Sequence, residues 1–169
     1  MKTLVSLVLS ASLIGPAFAE DTASTMSVPS PLEAWQDEPT IILDGADVDI
    51  DEFKWVARPV IVFATSPADP RFAEQMTLLS ERTQELIDRD VVVIVDTDAD
   101  TMSDLRPKLR PRDFMKVQIG KDGCVKQRKP FPYDVRELSR SIDKMPLRQQ
   151  EIRDRLGSWP ISCSPRAEP

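Results

Sequence analysis

The stretch Arg58-Pro-Val-Ile-Val-Phe-Ala-Thr-Ser-Pro-Ala-Asp-Pro-Arg-Phe72 decides the fold of this 169-residue chain. It opens with an apolar, β-branched run, Val60 to Phe63, which is typical of a strand buried on both faces. A short turn follows, and Asp69 then precedes Pro70 in the order of an N-cap and a first helical residue. A second β-branched run, Val91 to Val95, comes after the helix. The pattern predicts a parallel β-α-β unit with a right-handed crossover.

Periodicity extends this unit in both directions. Apolar residues from Phe72 to Ile87 recur at helical spacing, which predicts one amphipathic helix running to about Asp88. Short packed elements are expected at Leu32 to Trp35 and at Thr40 to Leu43, before the unit. After it, the sequence predicts a short helix, a hairpin with an Asp-Gly turn, a helix capped by Asp134 and a polar helix. Their expected positions are 100–109 for the short helix, 114–119 and 124–129 for the hairpin strands, 134–145 for the capped helix and 147–156 for the polar helix.

Several short motifs within residues 51 to about 153 have a family counterpart. They are Phe53-Lys-Trp55, the 58–71 segment, Asp90-Val-Val-Val-Ile94, Ile119-Gly-Lys-Asp-Gly123 and Ile142-Asp-Lys-Met-Pro-Leu-Arg-Gln149. In these motifs the chain resembles a bacterial family of secreted, thioredoxin-like proteins known as domain of unknown function 4174. The resemblance implies a single α/β domain of thioredoxin-like fold, with β-α-β then β-β-α around a central mixed sheet. It implies no activity and no catalytic residue.

The turn after the first core strand lacks the chemistry usual for that fold. Redox thioredoxins carry Cys-x-x-Cys there, whereas this chain has Ser66, Pro67, Ala68 and Asp69. The chain also has no histidine, which excludes Ser-His-Asp and Cys-His nucleophile systems and His-ligated metal sites. The sequence therefore favours a non-redox binding or accessory domain without metal or cofactor. Its partner would be a protein or a small molecule.

Cys124 and Cys163 are the two cysteines of the chain. In an oxidising compartment such a pair favours a structural disulfide, which would tie the Pro-rich tail to the hairpin. Two separate thiols are a second interpretation. A functional redox pair in a thiol-disulfide or peroxide-related oxidoreductase is a third, although the spacing differs from Cys-x-x-Cys.

Polar residues are expected to gather where the parallel strands end. Asp96, Asp98 and Asp100 follow the second core strand, and Ser66 and Asp69 follow the first. Open α/β sheets bind ligands beyond these strand ends, so a weak cation or small-anion site is one interpretation. A solvated acidic loop is the other. An EF-hand is excluded because its glycine and glutamate positions hold Thr101 and Pro107.

The first 19 residues read as a cleaved signal peptide, with a positive Lys2, an apolar core and the cleavage site Ala17-Phe18-Ala19. A retained anchor helix is the alternative, but the apolar run is short for a bilayer. We expect a flexible linker over 20–31, the domain over 32–156 and a Pro/Ser-rich tail over 157–169. The mature protein would be periplasmic or secreted, without an integral membrane segment.

Charged and aromatic residues lead to expectations about partners and packing. The net charge of −6 argues against a nucleic-acid partner, which rewards dense basic clusters. A local basic run, Arg106 to Lys116, is interpreted as surface charge or as a docking patch for an acidic partner. Trp35, Trp55 and Trp159 are predicted to be packing anchors.

Overall fold

The computed structural model describes residues 29–100 and 103–157. The predicted signal peptide, most of the predicted linker, and the tail with Trp159 and Cys163 lie outside these ranges. The described helices are α1 (Pro31–Asp37), α2 (Pro70–Ser80), α3 (Thr83–Ile87), α4 (Leu105–Leu109), α5 (Val135–Asp143) and α6 (Pro146–Gly157). The strands are β1 (Ile42–Asp44), β2 (Arg58–Phe63), β3 (Val91–Asp96), β4 (Met115–Ile119) and β5 (Val125–Lys129), and a 3₁₀ turn spans Ile50–Phe53.

The five strands form one mixed sheet in the order β1-β3-β2-β4-β5. The first three of these are parallel, whereas β4 runs antiparallel to β2 and β5 antiparallel to β4. This is the predicted β-α-β unit followed by a β-β-α unit. The predicted thioredoxin-like α/β fold is therefore confirmed, with β1 added at one edge.

Side chains of the two central strands alternate between two apolar layers. Ile61 and Ile94 face a cluster with Trp35, Phe53 and Leu105 from the α1 side of the sheet. The residues that alternate with them along β2 and β3 face a second cluster, which packs against α2, α3 and α5. This cluster includes Val60, Val62, Val91, Val93, Leu79, Leu86, Val135, Leu138 and Ile142. Both faces of β2 and β3 are covered, which explains why these strands read as continuous apolar runs.

Two predicted boundaries differ in the structure. The single helix expected to run to Asp88 is broken at Arg82, whose backbone is not helical. The hydroxyl of Ser80 donates to the carbonyl of Thr77 and that of Thr83 donates to the carbonyl of Ser80, so side chains compete with the helical ladder there. At the other end, Ser30 caps α1 and Pro31 is its first residue, although the sequence placed both in the linker.

None of the described helices, α1 to α6, combines the length and the apolarity that crossing a bilayer requires.

Candidate functional site

The turn between β2 and α2 is closed by its own carboxylate. Asp69 accepts a hydrogen bond from the backbone N–H of Arg71 at 2.8 Å, and its second oxygen lies 2.8 Å from the Arg71 guanidinium. The hydrogen bond from the Arg71 side chain holds the pKa of Asp69 below its usual value. Ser66 is exposed, and its hydroxyl accepts from the N–H of Ala68. The positive end of α2 is thus already compensated at the place where the fold would activate a thiol.

Asp96 at the end of β3 is a buried structural residue, 4% exposed. Its oxygens accept from Ser103 at 2.5 Å and from Arg106 at 2.6 and 2.8 Å. Arg106 also donates to the carbonyl of Ala64, which follows β2. The prediction of a solvated loop is wrong for Asp96, because a basic residue ten positions later neutralises it inside the protein.

Asp98 and Asp100 are exposed, as a solvated loop predicts, and Asp98 accepts from the N–H of Asp100 at 2.9 Å. A small pocket of ≈ 120 Å³ contains Asp96, Asp98 and Ser103 in its wall. Over residues 29–100 and 103–157, no cluster of three or more acidic or cysteine side chains has the geometry of a metal site. Of the five predicted edge residues, Asp96 and Asp98 lie in the wall of this pocket, and a ligand site at this edge stays a prediction.

Cys124 is exposed, in the hairpin turn just before β5. Its N–H donates to the Asp122 carboxylate at 3.1 Å, and its carbonyl accepts from Gly120. Because Cys163 lies outside the described residues, the Cys124–Cys163 disulfide stays a prediction.

The opposite end of the sheet holds a partly buried charge network that the sequence did not single out. Arg58, 1% exposed, lies 2.7 Å from Glu151 and 3.7 Å from Asp90. Lys121 in the hairpin lies 2.8 Å from Asp90 and 3.3 Å from Glu151, and Arg148 lies 3.2 Å from Glu151. Burial opposes ionisation of Glu151, but the Arg58 hydrogen bond and charge hold its pKa below the usual value. These ion pairs tie β2, the hairpin and α6 together.

An apolar cleft of ≈ 290 Å³ lies beside this network. Its wall includes Trp55, Met145, Pro146 and Leu147. Trp55 is 63% exposed, so its prediction as a packing anchor is wrong, whereas Trp35 is buried as predicted. Three of the segments that carry the family resemblance meet at this end of the sheet. They are the segment that ends at Trp55, the hairpin turn at 119–123 and the segment 142–149 at the start of α6.

Lys116 in β4 is completely buried although the sequence placed it in a surface run. Its ammonium lies 4.1 Å from the centre of the Tyr133 ring and 3.2 Å from the Gln127 carbonyl oxygen. Burial, with a smaller effect from the charge of Lys129, lowers the pKa of Lys116 to about 7. The alternation of side chains along β4 could have predicted this burial. Phe114, Lys116 and Gln118 point to the same face of the strand, and Lys116 lies opposite the buried Val62 of β2.

Comparison with known proteins agrees with this architecture. The model of the family described as Domain of unknown function (DUF4174) matches residues 49–151. This is more than half of the chain, and the chain belongs to that family. No curated protein matches significantly.

Among solved structures, the reduced 2-Cys peroxiredoxin of Plasmodium vivax is similar with a TM-score of 0.50 and 13% identity, over 65% of this chain and 91% of that one. Fasciola hepatica thioredoxin has a TM-score of 0.45 and 20% identity, over 61% and 96%. A yeast mitochondrial 1-Cys peroxiredoxin has a TM-score of 0.46 and 19% identity, over 63% and 97%. At such identities the likeness to the Plasmodium protein shows the fold alone.

Proposed function

We propose that this chain is a thioredoxin-like binding or accessory domain that works without dithiol chemistry at the usual position of the fold. The observation that carries this proposal is the Asp69 carboxylate at the start of α2, held by Arg71 at 2.8 Å. A thiolate is activated at a helix N-terminus because the helix dipole stabilises negative charge. Here a carboxylate takes that stabilisation, and none of the turn residues from Ser66 to Asp69 is a thiol.

We also propose that the protein is exported to the periplasm or secreted. The support is the signal-like composition of residues 1–19, with its small-x-small cleavage site. Expression of the full chain in a bacterial host, followed by fractionation and intact-mass measurement, tests this. Mature protein beginning at Glu20 in the periplasm or medium is the expected result. An uncleaved chain in the cytoplasm would contradict it.

The alternative function is a thiol-disulfide or peroxide-related oxidoreductase that uses Cys124 and Cys163. The exposure of Cys124 on the hairpin favours it, since a reactive thiol must be accessible. Against it, Cys124 precedes a strand and does not lie at a helix N-terminus.

Redox titration separates the two functions. Protein from the periplasm is equilibrated with graded glutathione or dithiothreitol buffers, alkylated and weighed by mass spectrometry. A structural disulfide resists reduction until about −300 mV or lower, whereas a catalytic pair is reduced at about −120 to −270 mV. We expect the first result, and C124S/C163S protein that keeps its fold but melts at a lower temperature. A potential in the second range, with peroxide or disulfide turnover lost in the double variant, would overturn the proposal.

A further inference from the structure

A groove with two lobes separates the β4–β5 hairpin from the junction of α5 and α6. Its apolar lobe is the ≈ 290 Å³ cleft of Trp55, Met145 and Leu147. Its polar lobe, also ≈ 290 Å³, is lined by Gln118, Lys126, Gln127, Ser141, Lys144, Met145 and Pro146. The two lobes share Lys126, Met145 and Pro146 in their walls, so they are neighbouring parts of one surface. We call this surface the hairpin groove.

Trp55 lines the apolar lobe, and its backbone is strained although its side chain is mostly exposed and packs little. Its φ of 68° is left-handed, a strained conformation for a bulky residue. A 2.7 Å hydrogen bond from its N–H to the carbonyl of Lys121 holds this backbone against the hairpin. The conformation leaves the indole largely exposed at the cleft. A strained backbone that presents an aromatic side chain to solvent favours a contact with a ligand.

Gln118 gives the polar lobe an unsatisfied group. The residue has no exposed surface, and its carbonyl oxygen lies 3.1 Å from the Ser141 hydroxyl, whose single hydrogen is shared with the carbonyl of Leu138 at 2.8 Å. Its side-chain nitrogen has no hydrogen-bond partner within the described part of the chain. Buried polar groups are nearly always paired, so this N–H group is a donor that an acceptor entering the lobe could satisfy.

Positive charge surrounds that donor. Lys144 is exposed on the rim and forms no ion pair within the described ranges, whereas Lys126 is paired with Asp122 at 2.5 Å. The polar lobe therefore combines an amide donor and an unpaired ammonium. This combination fits a carboxylate, which only accepts hydrogen bonds.

We propose that the hairpin groove binds an amphiphilic organic carboxylate. The carboxylate lies in the polar lobe near Gln118 and Lys144, and the apolar body packs against Trp55 and Leu147. At about 30 Å³ per water-sized group, each lobe holds about ten non-hydrogen atoms. The ligand is therefore a medium-chain or aryl-alkyl acid. This inference rests on the proposed binding function and names its ligand class.

The first experiment compares three probes on the mature protein by isothermal titration calorimetry. The probes are 4-phenylbutyrate, the uncharged 4-phenyl-1-butanol and acetate, which lacks the apolar body. We expect saturable binding of 4-phenylbutyrate with a Kd below about 1 mM, and at least tenfold weaker binding of the other two. Equal binding of the alcohol would overturn the carboxylate assignment. No binding of 4-phenylbutyrate at 10-fold higher concentration, on the order of 10 mM, would overturn the site.

Variants then locate the site. Lys144→Glu should weaken 4-phenylbutyrate binding about tenfold, whereas Arg136→Glu makes the same charge change about 12 Å away along α5 and should leave the Kd within twofold. Gln118→Leu should weaken binding about tenfold or more while the melting temperature stays equal or rises, because the apo protein loses an unsatisfied buried group. A purely structural Gln118 would instead lower the melting temperature and leave the Kd unchanged.

Trp55→Gly is expected to change stability and affinity for 4-phenylbutyrate in opposite directions. Glycine adopts positive φ without strain, so stability should be equal or higher, while affinity falls at least tenfold. In the parent protein 4-phenylbutyrate should also shift the tryptophan emission, and Trp55→Gly should abolish the shift. Unchanged affinity in Trp55→Gly would refute the apolar lobe. Failure of these tests leaves the redox titration of Cys124 and Cys163 unaffected, so the ligand class and the non-redox function fail independently.

Discussion

Lys116→Met tests the buried lysine through the pH dependence of folding. Burial lowers the pKa of Lys116 from 10.5 to about 7 in the folded protein, and the charge of Lys129 adds to this. Between these two values the unfolded chain binds a proton that the folded protein does not. The free energy of unfolding therefore rises with pH through this window, and below about pH 7 the full penalty is present.

The size of the effect follows from the two pKa values. A shift from 10.5 to about 7 corresponds to on the order of 5 kcal/mol in total, of which about 2 kcal/mol falls between pH 7 and pH 9. Methionine has a similar shape and no charge, so Lys116→Met removes this contribution and loses the 3.2 Å bond to Gln127. We expect the variant to be more stable than the parent at pH 7.

Urea unfolding of the parent, Lys116→Met and the exposed-site control Lys54→Met at pH 6, 7, 8 and 9 measures this. The stability gap between Lys116→Met and the parent should shrink by about 2 kcal/mol from pH 7 to pH 9. The gap for Lys54→Met should stay constant. A pH-independent gap for Lys116→Met would refute the conclusion that this amine is held neutral in the folded protein above pH 7.

Three further substitutions test the ion pairs and the cap. Glu151→Gln removes the carboxylate facing Arg58 and should cost about 2–4 kcal/mol in urea unfolding, with no loss if the network is dispensable. Asp96→Ala leaves Arg106 without its buried partner and should lower the free energy of unfolding by about 3–5 kcal/mol. Calcium should leave the melting temperature of the parent protein unchanged. A higher melting temperature with calcium would instead support a cation site. Asp69→Ala should lower the melting temperature at pH 7 and have less effect near pH 3. The pKa of Asp69 is lower in the folded protein than in the unfolded chain. Its contribution to stability is therefore complete above the unfolded-state pKa and is lost as the pH falls through the folded-state pKa. An equal effect of Asp69→Ala at both pH values would contradict this.

Regular patterns in the sequence predicted the fold well. The two β-branched runs gave β2 and β3, and the Asp69-Pro70 pair gave the start of α2. These signals are local and need only periodicity and cap chemistry. The break at Arg82 was missed because the apolar spacing continues across it into α3.

The candidate sites were harder to predict because they depend on partners distant in sequence. The sequence around Asp96 indicates an acidic loop, whereas in the structure Arg106 donates to its carboxylate. Arg58 pairs with Glu151, which is 93 positions away in the sequence. Trp55 looked like an anchor because tryptophan usually packs, and its left-handed backbone has no sequence signal. Charge compensation and backbone strain are tertiary properties that one sequence does not reveal.

The two ends of the sheet differ in how their charged and polar groups are satisfied, and this contrast directs the search for a ligand. At the carboxyl ends of β2 and β3, the charged groups Asp69 and Asp96 are satisfied by arginines. At the other end, Gln118 lacks a partner within the described residues, and Trp55 is exposed beside it in the hairpin groove. Satisfied charged groups stabilise a fold, whereas a buried group without a partner reduces stability and favours a contact with a ligand. The hairpin end is therefore the place to look for the ligand, even though the fold usually keeps its chemistry at the other end.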